Sequence, residues 1–202
     1  MRHLPGAITF CLAILPLATT ASANHTASLA QTAEHKADVL EKHASAASNN
    51  AKPPDLAISK NGAQAVDPTG RAALNDPITC LSRTVYWEAR GAEQHDMEAV
   101  ASVVMNRLGS PDFPNTVCQV VRQGSESGYC QFSWWCDGHS DDANDPKTYA
   151  TAREMARRAL NGTLTDRTHG ALYFHHRSIT PSWASHFTRT ARTREFYFYR
   201  PR

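Results

Sequence analysis

The chain has 202 residues with a formal net charge of +2, a length that suits one domain with appendages. Its four Trp, six Tyr and seven Phe all lie from Tyr86 onward except Phe10, so residues 24–75 lack the side chains that build a core and two equal domains are excluded. The weak net charge argues against a dedicated nucleic-acid binder, although residues 77–150 carry five Lys/Arg against ten Asp/Glu and residues 151–202 carry ten against three.

Residues 1–23 read as a secretory signal peptide. Arg2 and His3 precede an apolar run at residues 7–18, and Ala21-Ser22-Ala23 supplies a small-x-small cleavage pattern that makes Asn24 the mature N-terminus. The run is too short for a membrane span and is broken by Pro16; the competing reading is an uncleaved anchor. The expected location is therefore the periplasm, the cell envelope or the exterior. Loss of Cys11 with the signal leaves Cys80, Cys118, Cys130 and Cys136. An even number in an oxidising compartment favours two disulfides, and the spacings match no common zinc module. Three connectivities stay open.

Residues 24–75 are rich in Ala, Ser, Asn, Lys and Gln, with Pro53-Pro54 and Pro68-Thr69-Gly70 as breaks, and read as a disordered linker. Leu29, Ala33 and Leu40 offer a short helix only a thin apolar payload. A domain over residues 76–202 is expected to follow. Asp76-Pro77 is an N-cap with proline at the first helical position, and Ile78, Leu81, Val85 and Ala89 form one apolar stripe. Glu88 lies at the edge of that stripe in the last turn before Gly91, where burial raises a carboxyl pKa. A second helix is expected over residues 96–108, and a shorter one after Pro114-Asn115 with Val117, Val120 and Val121 buried. The aromatic-dense residues 129–135 read as a strand closed by Asp137-Gly138. Asp145-Pro146 opens a third long helix to Leu160 whose Arg153, Arg157 and Arg158 read as a solvated face. Strands are expected at residues 171–175 and 195–200. Helices first and short strands later make an α+β unit.

Several chemistries have no motif here: there is no G-x-S-x-G, no phosphate-binding glycine loop, no dinucleotide fingerprint and no H-E-x-x-H. Adjacent His175 and His176 in a strand face opposite ways, which weakens a zinc site built from them with Glu88 or Asp137. No cofactor and no metal are expected. What remains is a carboxylic acid beside aromatic surfaces, a pattern that suits protonation of a glycosidic oxygen and stacking on sugar rings. The competing role for Glu88 is a helix-end carboxylate paired with Arg83 or Arg90, and for the aromatics it is core packing.

Tyr86-Trp87-Glu88-Ala89-Arg90-Gly91, followed by the run from Ala99 to Arg107, resembles the opening of the SleB-type cell wall hydrolase family. Phe113-Pro114-Asn115-Thr116-Val117-Cys118, Cys130-Gln131-Phe132-Ser133-Trp134, Cys136-Asp137-Gly138 and Pro181-Ser182-Trp183-Ala184 continue the likeness in order. The resemblance implies a small lysozyme-like or lytic-transglycosylase-like fold, a helical core with a short antiparallel sheet, acting on peptidoglycan glycan strands. It implies Glu88 as catalytic acid. Where the family commonly has glutamate after the E-A-R-G glycine this chain has Ala92, then Glu93; where it often has Ile-Gly-x-His this chain has Thr193-Arg194-Glu195-Phe196.

The expected reaction is cleavage of the bond between N-acetylmuramic acid and N-acetylglucosamine with Glu88 as acid and then base. The absence of a clearly placed second carboxylate favours a lytic transglycosylase over a muramidase, with Asp137 and Glu93 as supporting candidates. Phe132, Ser133, Trp134, Asp137, Tyr173, His175 and Trp183 are the expected substrate contacts. An amidase and a non-catalytic peptidoglycan-binding module, the latter using the basic C-terminal quarter, are the alternatives. A monomer is the expected state, with no nucleic-acid partner.

Overall fold

The computed structural model describes residues 18–46 and 54–202, so most of the expected signal segment lies outside the described residues. Among the described residues six α-helices, α1 (Ala18–Ser45), α2 (Lys60–Ala65), α3 (Pro77–Glu88), α4 (Gln94–Leu108), α5 (Val117–Arg122) and α6 (Pro146–Leu160), precede a three-stranded sheet. The strands are β1 (Tyr173–His176), β2 (Thr188–Arg192) and β3 (Phe196–Arg200), antiparallel in the order β1-β3-β2. This is the α+β arrangement expected from the order of elements.

Local chemistry sets the helix starts. Asp76 caps α3 by accepting from the Thr79 N–H at 2.9 Å, with Pro77 at the first position. Asp145 caps α6 in the same way, accepting from Lys147 and Thr148. Glu93 and Asp96 form a reciprocal capping box at α4. The stripes are buried as their periodicity requires: Ile78, Leu81, Val85 and Ala89 on α3, and Met97, Val100, Ala101, Val104 and Leu108 on α4. On β3, Phe196 and Phe198 face the helices while Tyr197 and Tyr199 lie on the other face.

Residues 24–46 and 54–75 pack against the domain and are not a disordered linker. Helix α1 lays Ala33, Ala37 and Leu40 into the core, and Ile58, Ala63, Val66 and Leu74 join them. Small residues achieve this through close approach rather than area: a Cβ on Gly62 would sit 3.1 Å from that of Ala33. Polar anchors hold the segment too. The buried Glu41 carboxylate accepts from the Val117 N–H at 2.5 Å, at the start of α5. The Asn161 side chain brackets Ile58, accepting from its N–H at 2.8 Å and donating to its carbonyl at 3.0 Å. Pro68-Thr69-Gly70 is a tight turn; Gly70 has a φ of +70°, and a Cβ there would meet the Ala143 carbonyl oxygen at 2.6 Å.

Two further expectations are corrected. Residues 129–135 form turns rather than a strand, because Cys130–Cys136 closes them on themselves and Gly124 turns left-handed against the Tyr129 carbonyl. Arg153 is buried rather than solvated, its Nη1 donating to the carbonyls of Gln64, Val66 and Asp67. Strand β2 escaped the sequence reading because its Thr-Arg-Thr-Ala-Arg run suits an exposed edge.

The cysteines pair as Cys80–Cys118 and Cys130–Cys136. The first bridge joins α3 to α5 across 38 residues. Replacing both Cys80 and Cys118 by Ala is expected to cost about 4 kcal/mol, since an open loop of that length regains chain entropy on unfolding. Urea denaturation of the double variant beside the oxidised parent measures it.

Candidate active site

Glu88 ends α3 at the point where the chain turns through Gly91 into α4. It is half-buried, and burial pushes its carboxyl up to about 7, opposed by the Arg107 guanidinium. Among the described residues the carboxyl takes no hydrogen bond and joins no ion pair. The expected competitors for it are engaged elsewhere. Arg83 pairs with Asp67 at 2.7 Å, and Arg90 lies over the rings of Tyr86 and Trp87 at 5.5 and 5.6 Å. A helix-end carboxylate held only by a neighbouring arginine is therefore not what the geometry shows.

Arg107 is the residue that sequence reasoning missed. It sits on α4 at i+7 from Val100 and i+3 from Val104, so the apolar stripe carries it into the interior. A cation at that position was the available signal. Burial pulls its guanidinium down to about 10, while Tyr173 and Glu88 act in the opposite sense. Its Nε donates to the Leu172 carbonyl at 2.8 Å and its Nη2 to the Gln131 side chain at 3.4 Å. The rings of Phe132, Phe113 and Tyr173 lie 5.0, 5.2 and 5.5 Å from its central carbon. Its Nη1 is buried without a hydrogen-bond partner among the described residues. One arginine thus gathers α4, the 130–136 loop and the start of β1 around Glu88.

The expected substrate contacts divide into three groups. Phe132 and Trp134 are buried, at 0% and 5% exposure, so they form the wall behind the surface and not open sugar platforms. Ser133 and Asp137 are exposed on the neighbouring loop, where Asp137 accepts from the His139 N–H at 2.8 Å. Tyr173, His175 and Trp183 come together on the outer sheet face. Trp183 lies 6.0 Å from Tyr173 and 5.6 Å from His175 between ring centroids, and Tyr173 stacks on Phe187 at 4.8 Å. His175 is itself buried, with its Nε2 3.0 Å from the Tyr199 hydroxyl, whereas His176 is exposed beside Glu195. The two histidines face apart, as strand geometry requires. Glu93 is committed to the α4 cap and to an ion pair with Arg194.

The loop over residues 137–143 is fastened to α3 just before Glu88. The Asp141 carbonyl accepts from Arg83 Nη1 at 2.5 Å and from Trp87 Nε1 at 3.1 Å, and the Ala143 N–H donates to the Gly70 carbonyl at 2.9 Å. The result is a proton-holding carboxyl on a rigid helix end, flanked by a pinned loop and an aromatic sheet face. Such an arrangement suits acid–base work on a polar, ring-shaped substrate.

Residues 91–199 match the family model described as Cell Wall Hydrolase, a span that begins three positions after Glu88. A spore cortex-lytic enzyme of Bacillus subtilis (strain 168) is 36% identical over 115 residues, covering 57% of this chain and 34% of that protein. The spore cortex-lytic enzyme of Halalkalibacterium halodurans is 34% identical over 112 residues, covering 54% and 30%. Among solved structures, the catalytic domain of the Bacillus cereus SleB protein is 25% identical, covers 61% of this chain and 89% of that one, and superposes with a TM-score of 0.45. The matched part spans about a third of the length of these curated relatives.

Proposed function

This chain belongs to the cell wall hydrolase family, and from that premise we propose that it cuts peptidoglycan glycan strands with Glu88 as the general acid and base. The observation that carries the reading is the Glu88 carboxyl, raised to about 7 by burial at the end of a rigid helix and free of hydrogen bonds among the described residues. Near neutral pH much of it holds a proton, as an acid for a glycosidic oxygen must. Donation to the oxygen between N-acetylmuramic acid and N-acetylglucosamine breaks the C1–O bond, and positive character spreads over C1 and the ring oxygen. The Glu88 carboxylate then takes the proton of the muramic C6 hydroxyl as its oxygen bonds to C1. The acid is restored and the product ends in a 1,6-anhydro sugar.

The transglycosylase route rests on the single carboxyl. Glu93 is held by Arg194 and the helix cap, and Asp137 lies on the exposed loop, so neither is a ready base for water. Mass spectrometry of fragments released from purified peptidoglycan tests the proposal. Anhydro ends are the expected product; reducing muramic ends would replace the route by hydrolysis, and freed peptides on intact glycan would overturn the glycosidic reading altogether. Work on such a substrate takes place outside the cytoplasmic membrane, in keeping with the apolar run and cleavage pattern at the N-terminus. No helix among the described residues is long and apolar enough to cross a membrane.

Arg107 sets the pH at which this works. Its charge favours the ionised form of Glu88, so Arg107→Gln is expected to move the alkaline limb of the pH–rate profile upward. A fall in rate with an unmoved limb would assign Arg107 to packing alone.

A further inference from the structure

The segment from residue 151 to 202 is basic, with ten Arg against three Asp/Glu. Several of its arginines are neutralised in place: Arg157 by Glu154, Arg158 by Glu98, and Arg194 by Glu93 and Glu195. Others are not. Arg177 and Arg189 are exposed, and among the described residues neither meets a carboxylate. Both instead converge on one ring: their central carbons lie 5.4 and 4.9 Å from the Tyr197 centroid. Arg177 is further held by donation to the Arg194 carbonyl at 2.9 Å.

Strand register places this group. His175 pairs with Tyr197 and Tyr173 with Tyr199 across β1 and β3, while Arg189 pairs with Tyr199 and Arg192 with Tyr197 across β2 and β3. Directly opposed residues share a face, so the two arginines of β2 stand on the same side as the rings. The opposite side, with Phe174, Phe196 and Phe198, is spent on the core. From Tyr173, which meets Arg107 at the candidate active site, rings continue through Trp183 and His175 to Tyr197 in steps of 6.0, 5.6 and 5.7 Å. The cationic end is thus continuous with the proposed glycan site and three ring-to-ring steps beyond Tyr173.

We propose that Arg177 and Arg189, set on Tyr197, form a subsite for the carboxylates of the short peptides that hang from a peptidoglycan strand. The proposal rests on the glycan reading of the Glu88 site, and charge complementarity selects the occupant. Guanidiniums match carboxylates in shape and charge, and the glycan's own hydroxyls and acetamides are neutral. A strand lying along the outer sheet face would bring its peptides to this end while a sugar occupies the site at Glu88.

The test uses the full chain carrying Glu88→Gln, so that binding is read without cleavage, with and without Arg177→Gln and Arg189→Gln. Each protein is titrated with soluble peptide-bearing glycan strands whose carboxylates are free, and with the same strands after chemical amidation. The expected result is an affinity about five-fold weaker for the arginine double variant on free strands, as two exposed charged contacts would give, and no change on amidated ones. Equal binding of free and amidated strands by the parent overturns the proposal, as does equal weakening of both by the double variant. In the active background the same pair of substitutions should raise KM on free strands and leave kcat unchanged. Failure there, with cleavage still dependent on Glu88, removes the subsite without touching the catalytic assignment.

Discussion

Glu88→Gln is expected to lower peptidoglycan cleavage by about 10³-fold, the range lost when a positioned general acid is removed. The amide keeps the size and polarity of the side chain but has no proton to give at the pH of the reaction. In the parent, activity should hold at acid pH and decline as pH rises through about 7, where the Glu88 carboxyl loses its proton. The same burial leaves a mark on stability. Below the ordinary glutamate range the group is protonated in both folded and unfolded chains and contributes no difference. Between there and about 7 the unfolded chain releases a proton that the folded chain keeps, so stability falls as pH rises and the full cost is reached above 7. Gln carries no such cost. The variant should therefore equal the parent in urea denaturation at pH 4 and exceed it at pH 8, by on the order of 3 kcal/mol. Retained cleavage at the parental rate would remove Glu88 from the chemistry. Equal stability of the two proteins at pH 8 would show that its carboxyl is not desolvated.

Asp67→Ala is expected to cost about 3–5 kcal/mol, among the largest losses available to one substitution in this chain. Asp67 and Arg83 are 1% and 2% exposed at their side chains, and removing one leaves the other as an uncompensated buried charge. More than the pair is lost. Asp67 Oδ2 accepts from Arg83 Nε at 3.0 Å, Arg83 Nη2 at 2.7 Å and the Tyr149 hydroxyl at 2.7 Å, while Oδ1 accepts from the Arg71 and Ala72 N–H groups at 2.8 Å. Burial alone would raise this carboxyl, but those donors and the Arg83 charge hold it below the usual aspartate range. Its contribution is present at neutral pH and is lost as pH falls through the folded-state value, so the gap between variant and parent should close in acid. Urea denaturation at pH 7 and pH 3 measures both effects. A loss under about 1 kcal/mol at pH 7 would be incompatible with a closed network. Because Arg83 also holds the Asp141 carbonyl, the same change should loosen the loop beside Glu88. A chain begun at residue 76, lacking Asp67 and helix α1, is expected not to fold.

Much of what the local code can express was legible. Asp76-Pro77 and Asp145-Pro146 are start signals whose physics is confined to one helical turn, and both open helices where expected. The stripe Ile78, Leu81, Val85 and Ala89 told which way α3 faces, and with it that Glu88 ends that helix at the margin of the core. The aromatic alternation of Phe196 to Tyr199 likewise marked a strand with one buried face.

Tertiary structure alone decided the rest, for reasons that sequence patterns do not carry. An Ala-rich helix such as α1 shows little apolar area of its own; what fixes it is the closeness that small side chains allow, together with contacts of Lys36 and Glu41 to residues far away in sequence. Buried arginines are the second case. Arg83, Arg107 and Arg153 look like surface residues until the partners that neutralise or solvate them, an aspartate and a set of backbone carbonyls, are brought near by folding. The candidate site divides along the same line. Sequence by itself determined that an acid stands at the end of an amphipathic helix near aromatic residues. The fold decided which of those aromatics remain at the surface, set Arg107 beside the acid, and left Arg177 and Arg189 uncovered, because burial and charge pairing are properties of neighbours that only the folded chain brings together.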